Sequence, residues 1–403
     1  MLNAVGIDVS KNKSMVAAMQ PGGIVLAKPF VVQHTKSEIN NLISYIKGLE
    51  GDTRVVMENT GRYYEPVALA LTEAGIFVSA VNPKLIKDFS INSLRKVKSD
   101  KADAKKIARY TLDKWSELRQ HNGMETLRIK LKTMNRQFDF YMKQKTAYKN
   151  NLIALIDQTY PGANTYFESP ARSDGSQKWV DFIARFWHVD CVRGQSIASF
   201  TEKYKNWCKK HGYNFQSKKP AEIMAIAKEL IAVLPKDDMT KMFVMQAIYQ
   251  LNAISKAVEE LRIMMNDIAK QLPEYPAVIS INGVGETFGS QLMAEIGDVT
   301  RFHSRGALVA FAGVDPGVNE SGDKSQKSNK TSKAGSPHLR KTLFQIVSGI
   351  LMREQKNPVY DFMDKKRSEG KPYYVYLTAG ANKFLRIYQG IVKKYLASLP
   401  SKE

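Results

Sequence analysis

Four acidic residues in the first quarter of the sequence sit where strands end or helices begin. Asp8 closes the apolar run Val5-Gly6-Ile7, and Glu58 closes Val55-Val56-Met57. Asp100 and Asp103 open the stretch Ser99-Asp100-Lys101-Ala102-Asp103-Ala104-Lys105-Lys106-Ile107-Ala108. Residues three apart share a helix face. Asp100 and Asp103 therefore point the same way, with Ile107 on the same stripe, Ala104 and Thr111 beside it, and Lys101, Lys105 and Lys106 on the other side. A buried carboxylate pair is costly unless something cationic compensates. Four converging carboxylates need a cation, and oxygen-only ligation without His or Cys suits Mg²⁺ or Mn²⁺. Two such ions clamp the attacking and leaving oxygens of a phosphodiester displacement. The plainer alternative is a solvated helix start, in which Ser99 caps, Asp100 favours the helix dipole, and Lys98 and Lys101 pair with the acids.

A second candidate lies near the other end. Pro316-Gly317-Val318-Asn319-Glu320-Ser321-Gly322 precedes Lys324, Lys327, Lys330, Lys333 and Arg340. A serine beside glycine can expose its hydroxyl, and the cations can hold a phosphate beside it. Serine is a poor nucleophile unless a base or metal activates it. His303 and His338 are near in sequence, but no local His-Asp partner is evident, so composition alone favours a nucleic-acid-binding loop.

The elements that must position these residues follow from periodicity. To about Trp115, short β-rich runs alternate with helical spacing. Val5–Val9, Ser14–Met19 and Ile24–Val32 read as three meandering strands, Arg54–Glu58 and Ile76–Val81 as two more. Helices are expected at Ser37–Leu49, Pro66–Ala74 and from Ser99. The order βββ-α-β-α-β-α is that of a ribonuclease-H-like fold. An actin-like ATPase also opens on Gly-Ile-Asp, but its following turn is glycine-rich, and here it is Ser10-Lys11-Asn12-Lys13. Next come two long seams. Leu127, Leu131, Met134, Phe138, Tyr141, Lys145, Tyr148, Leu152 and Leu155 step by four and three, as do Val244 through Leu272. Such spacing reads as coiled coil, paired within the chain or with a second protomer. Between them lies a Trp- and Lys-containing insertion whose tryptophans, Trp179, Trp187 and Trp207, are expected to form a small core rather than to stack on bases. Ile279-Ser280-Ile281-Asn282-Gly283-Val284-Gly285 has the look of a helix-hairpin-helix turn. The expected division is 1–115, an α/β nuclease-like domain; 116–160, first coiled-coil helix; 161–235, inserted subdomain; 236–272, second coiled-coil helix; and 273–403, a mostly helical domain carrying the serine.

Composition narrows the function. The chain has 403 residues, 43% hydrophobic, enough for two or three cored domains and too apolar for disorder throughout. Lys and Arg number 60 against 39 Asp and Glu, a formal charge of +21 that favours a polyanion, nucleic acid first. No apolar run spans a bilayer, and the start meets Asp8 too early for a signal peptide. Cys191 and Cys208 alone exclude a disulfide framework or cysteine zinc site. An intracellular, cytoplasmic protein is expected.

The sequence resembles the DEDD transposases of the IS110 insertion-sequence family, which includes the Piv-type DNA invertases and the bridge-RNA-guided recombinases. The resemblance rests on Gly6-Ile7-Asp8-Val9-Ser10-Lys11, Met57-Glu58-Asn59-Thr60-Gly61 and Lys98-Ser99-Asp100-Lys101-Ala102-Asp103-Ala104. Further motifs are Ile281-Asn282-Gly283-Val284-Gly285, Ala310-Phe311-Ala312-Gly313-Val314, Glu320-Ser321-Gly322 and Ser332-Lys333-Ala334-Gly335-Ser336-Pro337-His338-Leu339-Arg340. It implies a RuvC-like N-terminal domain, a coiled coil and a C-terminal transposase domain. It makes Asp8, Glu58, Asp100 and Asp103 the metal-binding acids, Mg²⁺ or Mn²⁺ the cofactor, and Ser321 a covalent nucleophile. Donor and target double-stranded DNA, a structured guide RNA and a dimer or tetramer are the implied partners. Lys11, Lys101 and Lys105 near the acids, and Lys324, Lys327, Lys333 and Arg340 near the serine, are the expected phosphate contacts. The competing expectations are a RuvC-type hydrolytic nuclease, which needs the acids but not Ser321, and a non-catalytic nucleic-acid-binding protein. The 161–235 insertion departs from compact members of the family.

Overall fold

Small and β-branched residues fill the first strands, and the strands pair as that pattern demands. β1 (Leu2–Val9) lies between β2 (Lys13–Gln20), antiparallel to it, and β4 (Asp52–Glu58), parallel to it. β3 (Ile24–Gln33) runs antiparallel to β2 at one edge, where Pro29 costs no ladder bond. β5 (Phe77–Val81) runs parallel to β4 at the other edge. The order β3-β2-β1-β4-β5 is the ribonuclease-H-like sheet expected from the sequence.

The computed structural model describes residues 1–400 other than 60, 91–98, 122–125, 316–319, 322–323, 326–330 and 355–356. The chain divides into two units, Met1–Glu125 and Thr126–Glu403.

In the first unit the strands sort their side chains by alternation. Val5 and Ile7 of β1 join Val55 and Met57 of β4 on one face, under α1 (Lys36–Lys47) and α2 (Tyr64–Glu73), where Leu42, Ile46, Val67 and Leu71 meet them. The other face carries Ala4, Gly6 and Val56. It is covered by α3 (Pro83–Ser90), which the sequence pattern does not foreshadow, and α4 (Asp100–Asp113). Central parallel strands covered on both faces explain why β1 and β4 read as apolar runs rather than alternating ones.

The second unit is helical. α5 (Thr126–Thr159) and α10 (Asp238–Lys270) lie antiparallel against each other within one chain. Leu152 and Ile156 at the end of α5 pack with Val244, Ala247 and Leu251 at the start of α10. Leu131 and Phe138 pack with Val258, Met265 and Leu272. Between the two clusters stand Lys145 and the buried Ser255. Burial pulls the Lys145 ammonium down, opposed by Glu259 of α10.

The segment between the long helices folds over α6 (Lys178–Arg185), α7 (Asp190–Arg193), α8 (Ile197–His211) and α9 (Lys219–Glu229). Trp179, Trp187 and Trp207 are buried there beside Phe182 and Phe200. After α10 come α11 (Tyr275–Ile279) and α12 (Glu286–Ile296), joined by a turn in which Gly283 takes φ +88°. α13 (Arg305–Ala312), the short strands β6 (Glu320–Ser321) and β7 (Lys324–Ser325), and α14 (Pro337–Met352) follow. α15 (Pro358–Ser368) and α16 (Tyr373–Ser398) close the unit and pack into the core that holds Leu343, Ile346, Leu377 and Phe384. Among the described residues no helix is long and apolar enough to cross a membrane.

The tightest approach in the first unit is at Gly6. A Cβ built there would lie 2.3 Å from both the Ala104 carbonyl oxygen and the Ala108 nitrogen of α4. Both are backbone atoms that a rotamer change does not move. Gly6→Ala is expected to cost on the order of 1–3 kcal/mol or more, as overpacking does. Gly349→Ala, mid-helix with no atom within 4 Å, is expected to be neutral or stabilising. Thermal melts of the two variants check the contrast, and an unchanged melting temperature for Gly6→Ala would show that α4 does not rest on β1 as described.

Candidate active site

The close approach at Gly6 sets the site. Asp8 is two residues on, so it shares Gly6's face and looks toward the first turn of α4. β1 and β4 pair in parallel with Gly6 opposite Val56 and Ile7 opposite Met57. Asp8 and Glu58 take the next position in register, at the carboxyl ends of adjacent strands, and alternation puts Glu58 on the face of Val56. Glu58 in turn is paired with Val81 of β5.

α4 begins where Ser99 caps it, its hydroxyl accepting from the Ala102 amide at 3.3 Å. Ala104, Ile107, Ala108 and Thr111 are buried against the sheet. Asp100 and Asp103 extend that stripe past the strand ends, Asp100 exposed and Asp103 half-exposed.

Electrostatics tie three of the four acids together. Asp8 is pushed up to about 6, first by burial and then by the negative charges of Asp103 and Asp100. Repulsion of this kind is what a divalent cation relieves, and the donors are all carboxylates, so the residue types fit Mg²⁺ or Mn²⁺. The side chains do not yet close on one point. Among the described residues no three acidic, histidine or cysteine side chains converge tightly enough to hold a metal ion. Asp103 leans instead on Lys106, at 2.8 Å. Lys106 was expected on the opposite side, but it is three residues from Asp103 and its long stem reaches back. Lys11 is exposed in the tight turn where the Ser10 amide bonds the Lys13 carbonyl at 2.9 Å. Lys101 is exposed and Lys105 half-exposed.

The second unit carries Ser321. Its backbone pairs with Lys324 in the β6–β7 hairpin, and Glu320 pairs with Ser325. Lys327 and Lys330 lie outside the described residues. The segment bearing this hairpin is tied at its base. The Ser332 amide bonds the Asp315 carbonyl at 3.1 Å, and the Ser336 amide bonds that of Phe311 at 2.9 Å. Gly313, at φ +66°, backs onto Gly335 so closely that a Cβ on either would collide with backbone. Arg340 Nη1 donates to the Ala312, Gly335 and Lys333 carbonyls at 3.0, 3.3 and 3.5 Å. Arg340, expected as a phosphate contact, is thus engaged in closing the loop, and Lys333 is exposed beside it at φ +50°.

Long-range contacts that sequence spacing could not disclose hold this base in place. The Ser336 hydroxyl caps α14 and donates to Glu295 of α12 at 3.0 Å. Glu295, buried, also receives Asn135 at 2.8 Å and a two-pronged Arg136 at 2.9 Å from α5. His338 bonds the Asp139 carboxylate, which also takes Lys341 at 2.8 Å.

A five-stranded ribonuclease-H-like sheet with acids at the ends of its central strands, followed by a helical unit, defines a RuvC-like protein of the DEDD type. Residues 5–161 match the DEDD IS110 family model, described as "Transposase", and residues 275–361 match the model "Transposase IS116/IS110/IS902 family". The chain belongs to the IS110 family of insertion-element transposases, enzymes that cleave and rejoin DNA. It is 21% identical to the insertion element IS116 44.8 kDa protein of Streptomyces clavuligerus, over 91% of this chain and 88% of that one. It is 23% identical to the insertion element IS110 43.6 kDa protein of Streptomyces coelicolor, over 38% of this chain and 37% of that one. Among solved structures, T. thermophilus RuvC in complex with Holliday junction substrate is similar over 29% of this chain and 96% of RuvC, with 15% identity and a TM-score of 0.24.

The raised Asp8 carboxyl has a sign that can be checked. An acid whose folded value exceeds its unfolded one contributes stability below its ordinary range near 3.8, lost as pH rises through about 6. Without divalent ions, Asp8→Asn is expected to melt higher than the native chain at pH 8, with the gap closing toward pH 4. A gap that does not vary with pH would remove the carboxylate repulsion from the account. For the serine loop, Arg340→Ala is expected to speed limited proteolysis between residues 315 and 336. Unchanged cleavage there would show that the guanidinium does not close the loop.

Proposed function

We propose that this transposase is a site-specific recombinase that cuts and rejoins DNA through Ser321. Asp8, Glu58, Asp100 and Asp103 are the residues that would hold Mg²⁺ or Mn²⁺. Such ions would supply positive charge at the reacting phosphate and lower the cost of ionising the attacking hydroxyl. Ser321 Oγ attacks phosphorus and an Oγ–P bond forms as the bridging P–O bond to the departing strand breaks. The serine gives up its proton and the departing strand oxygen takes one. The phosphodiester count is conserved, so rejoining needs no nucleotide cofactor.

The observation that carries this reading is the Asp8 carboxyl, raised by burial and then by the charges of Asp103 and Asp100, in a chain whose two ends match transposase models. Protomers assemble as a dimer or tetramer, in which the acids of one protomer complete the serine site of another. Donor and target duplexes are brought together by a structured guide RNA. Lys11, Lys101, Lys105, Lys324, Lys327 and Lys333 contact phosphates. The net charge of +21 supports polyanionic partners.

A RuvC-type hydrolytic nuclease is the competing mechanism. It would use the same acids with water as nucleophile and would leave no adduct. The test is to trap the reaction by denaturation and look for a protein–DNA covalent species. The native chain is expected to form it, Ser321→Ala to lose both adduct and cleavage while still binding DNA, and Asp8→Asn to lose cleavage with unchanged affinity. Full cleavage by Ser321→Ala would sink the serine mechanism in favour of hydrolysis. Sequencing the RNA that co-purifies tests the guide.

A further inference from the structure

A cavity of about 420 Å³ opens between α13 and α16, lined by Arg305, Lys383, Arg386, Ile387, Gly390 and Ile391. Half of its lining is cationic and none is acidic. Among the described residues, none of the three cations has a carboxylate partner. Arg386 Nε donates to the neutral Asn382 at 2.8 Å, and Lys383 faces the Phe362 ring at 5.9 Å. Surface cations in this unit commonly find an acid one helical turn away, as Lys366 and Arg367 do. Here three line one cavity.

Geometry explains the gathering. Lys383, Ile387, Gly390 and Ile391 fall at helical spacing along one stripe of α16, with Arg386 at its border. Arg305 reaches the same stripe from the first position of α13. Its Nη2 lies 3.8 Å from where a Gly390 Cβ would stand, so the guanidinium rests over the glycine. The absence of a side chain at 390 is what leaves the space open.

Three like charges held together without a counter-ion repel, and an anion relieves that repulsion. A planar guanidinium matches phosphate oxygens two at a time, and a lysine adds a point charge. Ile387 and Ile391 give the cavity an apolar wall that a free phosphate ion would not use, but that the sugar or base of a nucleotide would cover. The volume suits one small ligand unit rather than a duplex groove, lying within the roughly 300–1,000 Å³ of ordinary small-ligand sites.

We propose that this cavity anchors one unstacked nucleotide of a nucleic-acid strand. Arg305, Lys383 and Arg386 hold its phosphate, and its sugar or base lies against Ile387 and Ile391. The inference rests on the reading that nucleic acid is the partner, and it adds an anchor remote in sequence from both the acids and the serine. DNA and RNA strands offer the same phosphate, so the experiment separates them.

Binding of the full chain to three fluorescent probes would be measured across a salt series: a single-stranded DNA, a single-stranded RNA and a duplex DNA. In the triple variant Arg305→Ala, Lys383→Ala, Arg386→Ala, affinity for one or both single strands is expected to fall about tenfold at ~0.1 M salt. The logarithmic salt slope should also become shallower, by about 0.7 for each phosphate that is no longer neutralised. Gly390→Leu keeps every charge and fills the space, so it is expected to weaken the same probe comparably. This second variant also guards against misfolding of the first, with circular dichroism and the melting temperature as the control. If both variants bind single strands as the native chain does, the anchor is overturned while the recombinase reading stands. A weakening confined to the duplex, or one in the triple variant that Gly390→Leu does not share, also overturns it. If the native chain binds none of the probes, both readings fail together.

Discussion

Everything in the first unit depends on how closely one helix can lie on one strand. Gly6 lets the backbone of α4 touch β1 at Ala104 and Ala108, with no side chain between. That fit fixes the height and angle of α4 over the sheet. It thereby decides where Asp100 and Asp103 stand relative to Asp8, two residues beyond the glycine. Hydrophobic packing of Ile107 and Tyr110 with Val56 and Ile86 locks the arrangement from the side. The burial of Asp8 and the negative charges of Asp103 and Asp100 beside it, which together raise its carboxyl, follow from this steric fit.

The second unit solves a different problem, fixing the two ends of a polar loop. The hairpin of Ser321 belongs to a polar, glycine-containing stretch, and the base of that stretch is firmly secured. Gly313 and Gly335 meet backbone to backbone, Arg340 fastens three carbonyls, and Ser336 joins the base to Glu295 and through it to Arg136 of α5. Glu295 is buried and fully bonded, so its charge is compensated rather than stranded.

Local patterns carried much of this fold in the sequence. Strand alternation and apolar runs foretold the five strands, and the i, i+3 spacing of Asp100 and Asp103 foretold their common face. The 3–4 spacing of the long helices was equally legible, although only the coordinates show that they pair antiparallel within one chain. Pairings between distant residues were not legible. Ser336 and Glu295, His338 and Asp139, and Arg340 and the Ala312 carbonyl are joined by tertiary packing, which leaves no periodicity. Helix α3 was missed because its eight residues sit between turn signals, and α16 because its tyrosines and glycines blur the apolar stripe. Lys106 was misplaced for a simpler reason: an exposed lysine's position is set by where its stem can swing, not by its Cα.

The long antiparallel pair has one more consequence. At about 1.5 Å per residue each helix runs roughly 50 Å, and its apolar contacts fall into two separate cores with Lys145 and Ser255 between them. The tryptophan-rich lobe belongs wholly to the far core, and the transposase helices to the near one. Such a rod behaves as a boom with a detachable head. Shortening α5 and α10 by matched turns, with the lobe replaced by a tight connection, would leave the near core intact, because among the described residues no buried apolar side chain of the lobe belongs to it.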